Sequence, residues 1–167
     1  MHHNYCPICG TKLIQKQAGD DGLVPYCEEC KKYWFDSFHS CVIVLLHNEF
    51  NEVAISHQDY LSTIYATLTS GYMSPGESAE EAAKREVKEE LGIDIEKPQI
   101  EGTWWYDGSG VLMIGFSAFV KKQDFTLSSE VNSAEWVSVE EAEKKLFPPK
   151  PGNASQGLLK IFKERIK

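Results

Sequence analysis

The sequence predicts an α/β fold, a mixed sheet covered by helices on both faces, preceded by a small metal-stapled module. Three observations carry this expectation. Runs rich in β-branched and aromatic residues alternate with segments of helical periodicity. Several of the strand-like runs are close enough in sequence for hairpins, so antiparallel pairs must accompany any parallel crossover. Two Cys-x-x-Cys knuckles, Cys6-Pro7-Ile8-Cys9 and Cys27-Glu28-Glu29-Cys30, stand 17 residues apart ahead of all of these.

The knuckles define a first domain, residues 1–33. Their spacing is that of a tetrahedral site in which Cys6, Cys9, Cys27 and Cys30 bind zinc. Four thiolates close the coordination sphere, so the ion would be structural and would not activate water. A ribbon of this size buries too little apolar surface to fold alone, and metal binding would supply its folding free energy. A pair of disulfides would require an oxidising compartment, to which nothing in the chain points. A redox Cys-x-x-Cys would need one knuckle in a thioredoxin-like setting. His2 and His3 are assigned no role.

Residues 34–167 form the second domain, entered through the linker 34–40. Strands are expected at 41–47, 52–57, 66–70, 100–106, 111–120 and 134–137, and helices at 79–91, 139–146 and 155–166. The fifth cysteine, Cys41, heads the apolar run Val42-Ile43-Val44-Leu45-Leu46 and reads as a small buried hydrophobe. The first helix is the most fully specified element. Pro75-Gly76 signals a turn, Ser78 with Glu81 has capping-box form, and Gly92 is placed to end the helix in a left-handed conformation. Ala83, Val87 and Leu91 form its apolar stripe.

Glu86, Glu89 and Glu90 lie at i, i+3 and i+4 of that helix. At about 100° per residue, Glu89 and Glu90 fall roughly 60° and 40° to either side of Glu86, beside the apolar stripe. Like charges so placed cost roughly 0.2–0.5 kcal/mol per pair. The cluster is therefore either a solvated acidic face or a site for a divalent cation, and oxygen-only ligands select magnesium or manganese. Arg85 is positioned to pair with a glutamate and lock the array. The free N–H groups at the helix start favour anions, so the loop 71–77 is placed to approach a phosphate.

The chain of 167 residues, 42% apolar, suffices for one domain of ordinary size and a small appendage. No apolar run approaches the ~18 residues of a membrane span, and the start lacks a secretory pattern, so a cytoplasmic location without membrane association is expected. A formal charge of −8 argues against a non-specific nucleic-acid binder. A polyanionic substrate would have to be met by metal ions and local donors.

Residues 71–93 resemble a complete Nudix box: Gly71, Glu77 after five residues, then Arg85-Glu86-Val87, Glu89-Glu90 and Gly92-Ile93 after seven more. The resemblance implies an α/β/α sandwich. It also implies a hydrolase that splits a nucleoside diphosphate from another moiety by water attack on phosphorus. Glu86, Glu89 and Glu90 become magnesium or manganese ligands, with Gly71 placing a loop carbonyl near the cation. Glu90 or Glu86 becomes the base or water-orienting group, Glu90 being favoured. The order of ribbon then box is similar to the NADH pyrophosphatase group. On that likeness Glu130 is a further acidic metal ligand, Tyr72 stacks a nicotinamide or base, and Pro148–Ala154 matches the loop before the last helix, with Ala154 at the substrate. A homodimer is expected from the same likeness.

One stretch departs from that group. Its Ser-Gln-Pro-Trp-Pro-Phe-Pro is replaced by Thr103-Trp104-Trp105-Tyr106-Asp107-Gly108-Ser109, so the proline-fixed geometry is absent and the surface must differ in shape. The linker residues Trp34-Phe35-Asp36 also lack the basic residue of that group. Trp105 and Tyr106 remain candidates to stack a base, against the plainer reading as sheet-face packing. The substrates in view are NADH or NAD, ADP-ribose and nucleotide sugars. Two other classes use the same residues: a nucleotide sensor without turnover, and a ribbon that docks protein or nucleic acid with the larger domain as scaffold.

Overall fold

The sulfurs of Cys6, Cys9, Cys27 and Cys30 all lie within 4.8 Å of one another. They belong to the first of two compact units, Met1–Phe38 and His39–Lys167, in a computed structural model that describes residues 3–167. Three short strands, β1 (Ile14–Gln17), β2 (Leu23–Cys27) and β3 (Lys32–Tyr33), form an antiparallel sheet in that order. Its buried apolar side chains besides Cys6 and Cys27 are, among the described residues, Val24, Pro25 and Tyr26. So small a core leaves the cysteine cluster as the feature that holds the unit together, which is the economy of a zinc ribbon. The Cys30 N–H donates to Cys27 Sγ at 3.3 Å, and the Gly10 N–H closes the first knuckle on the Cys6 carbonyl at 2.9 Å.

The second unit contains β4 (His39–His47), β5 (Val53–His57), β6 (Thr69–Tyr72), α1 (Ala79–Leu91), β7 (Gln99–Tyr106), β8 (Val111–Phe119), β9 (Ser133–Val137), α2 (Val139–Lys145) and α3 (Ala154–Arg165). The strands form one mixed sheet in the order β7-β8-β4-β5-β9, with β6 pairing β4. β4 and β8 are parallel over His39–His47, whereas the other pairs are antiparallel.

Strand β4 is apolar from Cys41 to Leu46, where both of its faces are covered. Val42, Val44 and Leu46 join Ala82, Ala83, Val87 and Leu91 of α1 in one core. Ile43 and Leu45 join Val139 and Ala142 of α2 and Leu158, Leu159 and Phe162 of α3 in the other. Alternation along the strand thus feeds two layers, and the α/β/α sandwich follows. Among the described residues, no helix is long and apolar enough to cross a membrane.

Helix α1 has the predicted span, but β6 is displaced from the expected 66–70 to Thr69–Tyr72. Ala66 and Thr67 instead make isolated bridges, to Leu146 and Ser56. Local composition reports that a segment suits a sheet, not where its partner strand is free. Gly71 accordingly falls inside a strand, opposite Val42. On the α3 side, the indole of Trp104 occupies the space that a Cβ at Gly115 or Gly157 would fill. A glycine inside a helix costs about 1 kcal/mol relative to alanine; at Gly157 the close seat of the indole offsets it.

Candidate active site

The helix that carries the glutamates is fixed at both ends. Ser78 Oγ accepts from the Glu81 N–H at 3.3 Å while the Glu81 carboxylate accepts from the Ser78 N–H at 2.8 Å, the reciprocal capping box. Gly92 closes the helix at φ 72°. The Leu91 and Glu90 carbonyls, left without helical partners, accept from the N–H groups of Thr126 at 2.9 Å and Ser128 at 3.2 Å. The segment that carries Glu130 is thereby tied to the end of α1.

Along that helix the three carboxylates sit at different depths. Glu86 and Glu90 are buried, at 9% and 4% exposure, whereas the Glu89 side chain is 59% exposed. Glu86 lies against Gly71, its carboxyl group in the space where a Cβ at residue 71 would project. Only glycine permits this approach of strand to carboxylate.

Arg85 joins loop and helix. Its Nε and Nη2 donate to Glu77 at 3.0 and 2.7 Å, its Nη1 to Glu86 at 2.6 Å and Glu89 at 3.0 Å, and its Nη2 also to the Tyr72 carbonyl at 3.0 Å. The two-pronged grip on Glu77 is the strong form of such a pair. Together with the Ser74 N–H, it holds the Glu77 carboxyl down at about 2.

Glu90 lies deepest. Its Oε1 accepts from Gln58 Nε2 at 2.9 Å, and its Oε2 is buried without a hydrogen-bond partner. Burial, reinforced by the charges of Glu86 and Glu130, pushes this carboxyl up to about 7, against the opposing hydrogen bond of Gln58 and the nearby Thr69 hydroxyl. Burial likewise raises Glu86, although Arg85 works against it. A bound cation would reverse both effects. The orphaned Oε2 and the notch at Gly71 fit a divalent ion, since an unpaired buried oxygen is costly unless something meets it. Among the described residues, though, the cysteines are the group whose ligand atoms meet within 4.8 Å; Arg85 stands between Glu86 and Glu89.

The candidate aromatics divide between the sheet faces. Cross-strand register aligns Trp104, Met113, Cys41 and Tyr72 in one row, and Tyr106, Val111 and His39 in the next row on the same face, toward α3. Trp105 aligns with Leu112 and Ser40 on the α1 face, the glutamate side. Tyr72 is 58% exposed and its ring meets His39 edge-on at 5.6 Å. Ala154 is buried in the α3-side core, which leaves its backbone as the part able to meet a ligand. A Cβ on neighbouring Gly152 would overlap the Trp105 carbonyl, so the loop before α3 abuts the end of β7. A pocket of about 400 Å³ between Trp104, Lys150, Asn153, Gln156 and Lys160 shares no residue with the glutamate cluster. The chemistry of the carboxylates, not the volume of that pocket, marks the site.

Sequence reasoning missed Gln58 and Tyr60. Gln58 is 2% exposed, and its Oε1 accepts from the Tyr60 hydroxyl at 3.1 Å. Burial and the charges of Glu90, Glu130 and Glu86 raise the Tyr60 phenol, which places its oxygen beside the acidic cluster. A lone glutamine after a strand carries no motif, and its partner lies 32 residues away.

The Nudix domain family matches residues 37–157. Nudix hydrolase 19, chloroplastic, of Arabidopsis thaliana is 34% identical over 150 residues, covering 85% of this chain and 34% of that protein. The NAD-capped RNA hydrolase NudC of Haemophilus influenzae is 30% identical over 171 residues, covering 99% and 62%; that of Pseudomonas aeruginosa is 28% identical over 155 residues, covering 92% and 52%. The chain thus spans about half the length of the first curated relatives it matches, 52% in the Pseudomonas aeruginosa case. In structure, a NUDIX hydrolase from Nitrosomonas europaea superposes with a TM-score of 0.77 at 19% identity, over 98% of this chain and 93% of the other. With the family matched over most of its length and the box folded as loop, capped helix and glycine stop, the chain belongs to the Nudix family.

Proposed function

We propose that the chain is a metal-dependent pyrophosphatase that hydrolyses a nucleoside diphosphate linked to a second moiety, of the NADH or NAD, ADP-ribose or nucleotide-sugar type. The observation that carries this reading is Glu90, buried with one oxygen unpartnered, beside Glu86 in the notch at Gly71. Glu86, Glu89 and Glu90, with the Gly71 carbonyl and Glu130, would hold magnesium or manganese, which when bound neutralises the pyrophosphate and stabilises charge developing on its oxygens. Water attacks one phosphorus in line, the bridging P–O bond breaks, and Glu90 takes the proton of the attacking water. With Oε1 held by Gln58 and Oε2 unpartnered, Glu90 has an oxygen free for that work. Arg85 keeps the loop and the helix in one geometry while the charge redistributes.

Trp105 is exposed on the glutamate side of the sheet, and Tyr72 and Tyr106 are exposed on its other face; a base stacked on any of them gains roughly 1–3 kcal/mol, with Ala154 contributing through its backbone. The names of the relatives, NAD-capped RNA hydrolases, support a dinucleotide or a dinucleotide cap as the group cleaved. The four cysteines hold a structural zinc in residues 1–33, the Nudix domain being 34–167. We further infer a cytoplasmic homodimer from the resemblance. A mass-spectrometric screen of the purified chain against dinucleotides and nucleotide sugars with magnesium tests the reading. A nucleoside monophosphate and a second phosphate monoester from at least one substrate are expected; a dinucleotide that raises the melting temperature while no substrate is cleaved would replace the hydrolase with a sensor.

A further inference from the structure

Gln58 is a buried amide whose two ends both terminate in the acidic site. A plain structural role would leave it bonded to backbone or to another core group. Instead Nε2 donates to Glu90 Oε1 at 2.9 Å and Oε1 accepts from the Tyr60 hydroxyl at 3.1 Å. The ionised carboxylate, the form a cation selects, accepts only, and an amide offers one donor end and one acceptor end. With the tyrosine hydroxyl donating to the oxygen, the nitrogen is committed to Glu90. The flipped amide would set an oxygen against a carboxylate.

The neighbouring backbone fixes the pair in place. The Asp59 N–H donates to Asn132 Oδ1 at 2.8 Å and the Asn132 N–H to the His57 carbonyl at 2.9 Å. These bonds join the segment that carries Gln58 and Tyr60 to the one that carries Glu130. The Ser128 N–H, on the Glu90 carbonyl at 3.2 Å, joins that second segment to the helix. One Glu90 oxygen is consumed by the amide, and the other is left buried and unpartnered.

We propose that Gln58, locked in orientation by Tyr60, is a positioning residue that determines which oxygen of Glu90 is presented to the cation and the reacting water. The kinetic part of this inference rests on the hydrolase reading; the metal-binding part rests only on the carboxylates. Partners of this kind govern about 10–100-fold in metal affinity or activity.

The test uses the full chain with its cysteine site loaded. Manganese affinity is measured by electron paramagnetic resonance without substrate, and steady-state kinetics on whichever dinucleotide the wild type cleaves. Gln58→Leu should weaken manganese binding about 10-fold and lower kcat about 10–100-fold, with KM held within about 3-fold because the amide does not meet the substrate. Tyr60→Phe should lose about 3-fold in each, the lower range of one hydrogen bond; since Tyr60 is 67% exposed, this variant decides the matter if Gln58→Leu does not fold. Wild-type manganese affinity in the folded variants, or a rise in KM at unchanged kcat, would overturn the proposal. A wild type that binds manganese but cleaves no dinucleotide, ADP-ribose or nucleotide sugar would remove the hydrolase reading while the affinity comparison still judges Gln58.

Discussion

The carboxyl group of Glu86 occupies the volume into which a side chain at Gly71 would grow. Strand β6 and helix α1 therefore meet with no methyl group between them, and a box glycine expected to offer a carbonyl also offers a void. A Gly71→Ala chain must move either the strand or the carboxylate. The overpacking costs about 1–3 kcal/mol. We expect a folded protein with a lowered melting temperature and manganese affinity reduced at least about 10-fold; unchanged affinity would show that the notch does not shape the ion site.

Glu90→Gln should leave the fold intact and reduce turnover by about 10²–10⁴, the usual contribution of an acid–base group. A near-normal rate would remove Glu90 from that role and pass it to Glu86.

The same residue predicts a pH dependence in magnesium-free buffer. Unfolded, a glutamate loses its proton near ~4.3; folded, Glu90 keeps it up to about 7. Within that window the folded state binds more protons, so stability falls as pH rises from about 4.3 and levels off above about 7. Burial shifts Glu86 in the same direction. Thermal melts should show this decline for the wild type and a flatter profile for Glu90→Gln. That comparison cancels the opposite slope from His47, which burial holds below the usual histidine range. Magnesium should restore the wild type at the upper end of the window. Identical slopes in the two proteins would contradict the buried, protonated state of Glu90.

Arg85→Lys keeps a positive charge but cannot reproduce the two-pronged hold on Glu77 together with bonds to Glu86, Glu89 and the Tyr72 carbonyl. The expected loss is about 1–2 kcal/mol in denaturant titration, kept modest by the 30% exposure of the arginine side chain. Turnover should fall with it. Full stability in the lysine variant would mean that the loop is held by its own turn and cap.

Cys27→Ser removes a buried member of the four-sulfur cluster. Metal analysis should find less than one zinc per chain and a lower melting temperature, because so small a unit draws its folding free energy from the ion. A normal zinc content would remove the ribbon's metal role.

Much of this architecture was legible in residue pattern. Ser78, Glu81 and Gly92 marked the span of α1 because caps act through neighbours a few residues away, and the apolar run from Val42 to Leu46 marked a strand, which the structure buries on both faces. Where partners are distant in sequence, pattern was silent. The β6 register depended on which part of the β4 edge was open. The short strands β1 to β3 are arranged around cysteines and have no apolar alternation of their own. Gln58 reaches across 32 residues to Glu90, and nothing local distinguishes it from a surface glutamine. Adjacent Trp105 and Tyr106 read as one aromatic patch in sequence, yet the period of a strand sends them to opposite faces.

The central claim is that the glutamates of α1 hold divalent ions that let water open a phosphoanhydride. Hydrolysis of a dinucleotide in ¹⁸O-labelled water with magnesium, read by mass spectrometry, addresses it most directly. The account predicts one ¹⁸O in the phosphate of one mononucleotide product, no cleavage without a divalent ion, and a collapse of the rate in Glu90→Gln. Cleavage that needs no divalent ion, label on a ribose carbon's hydroxyl, or no cleavage of a substrate from any of the proposed classes would contradict it.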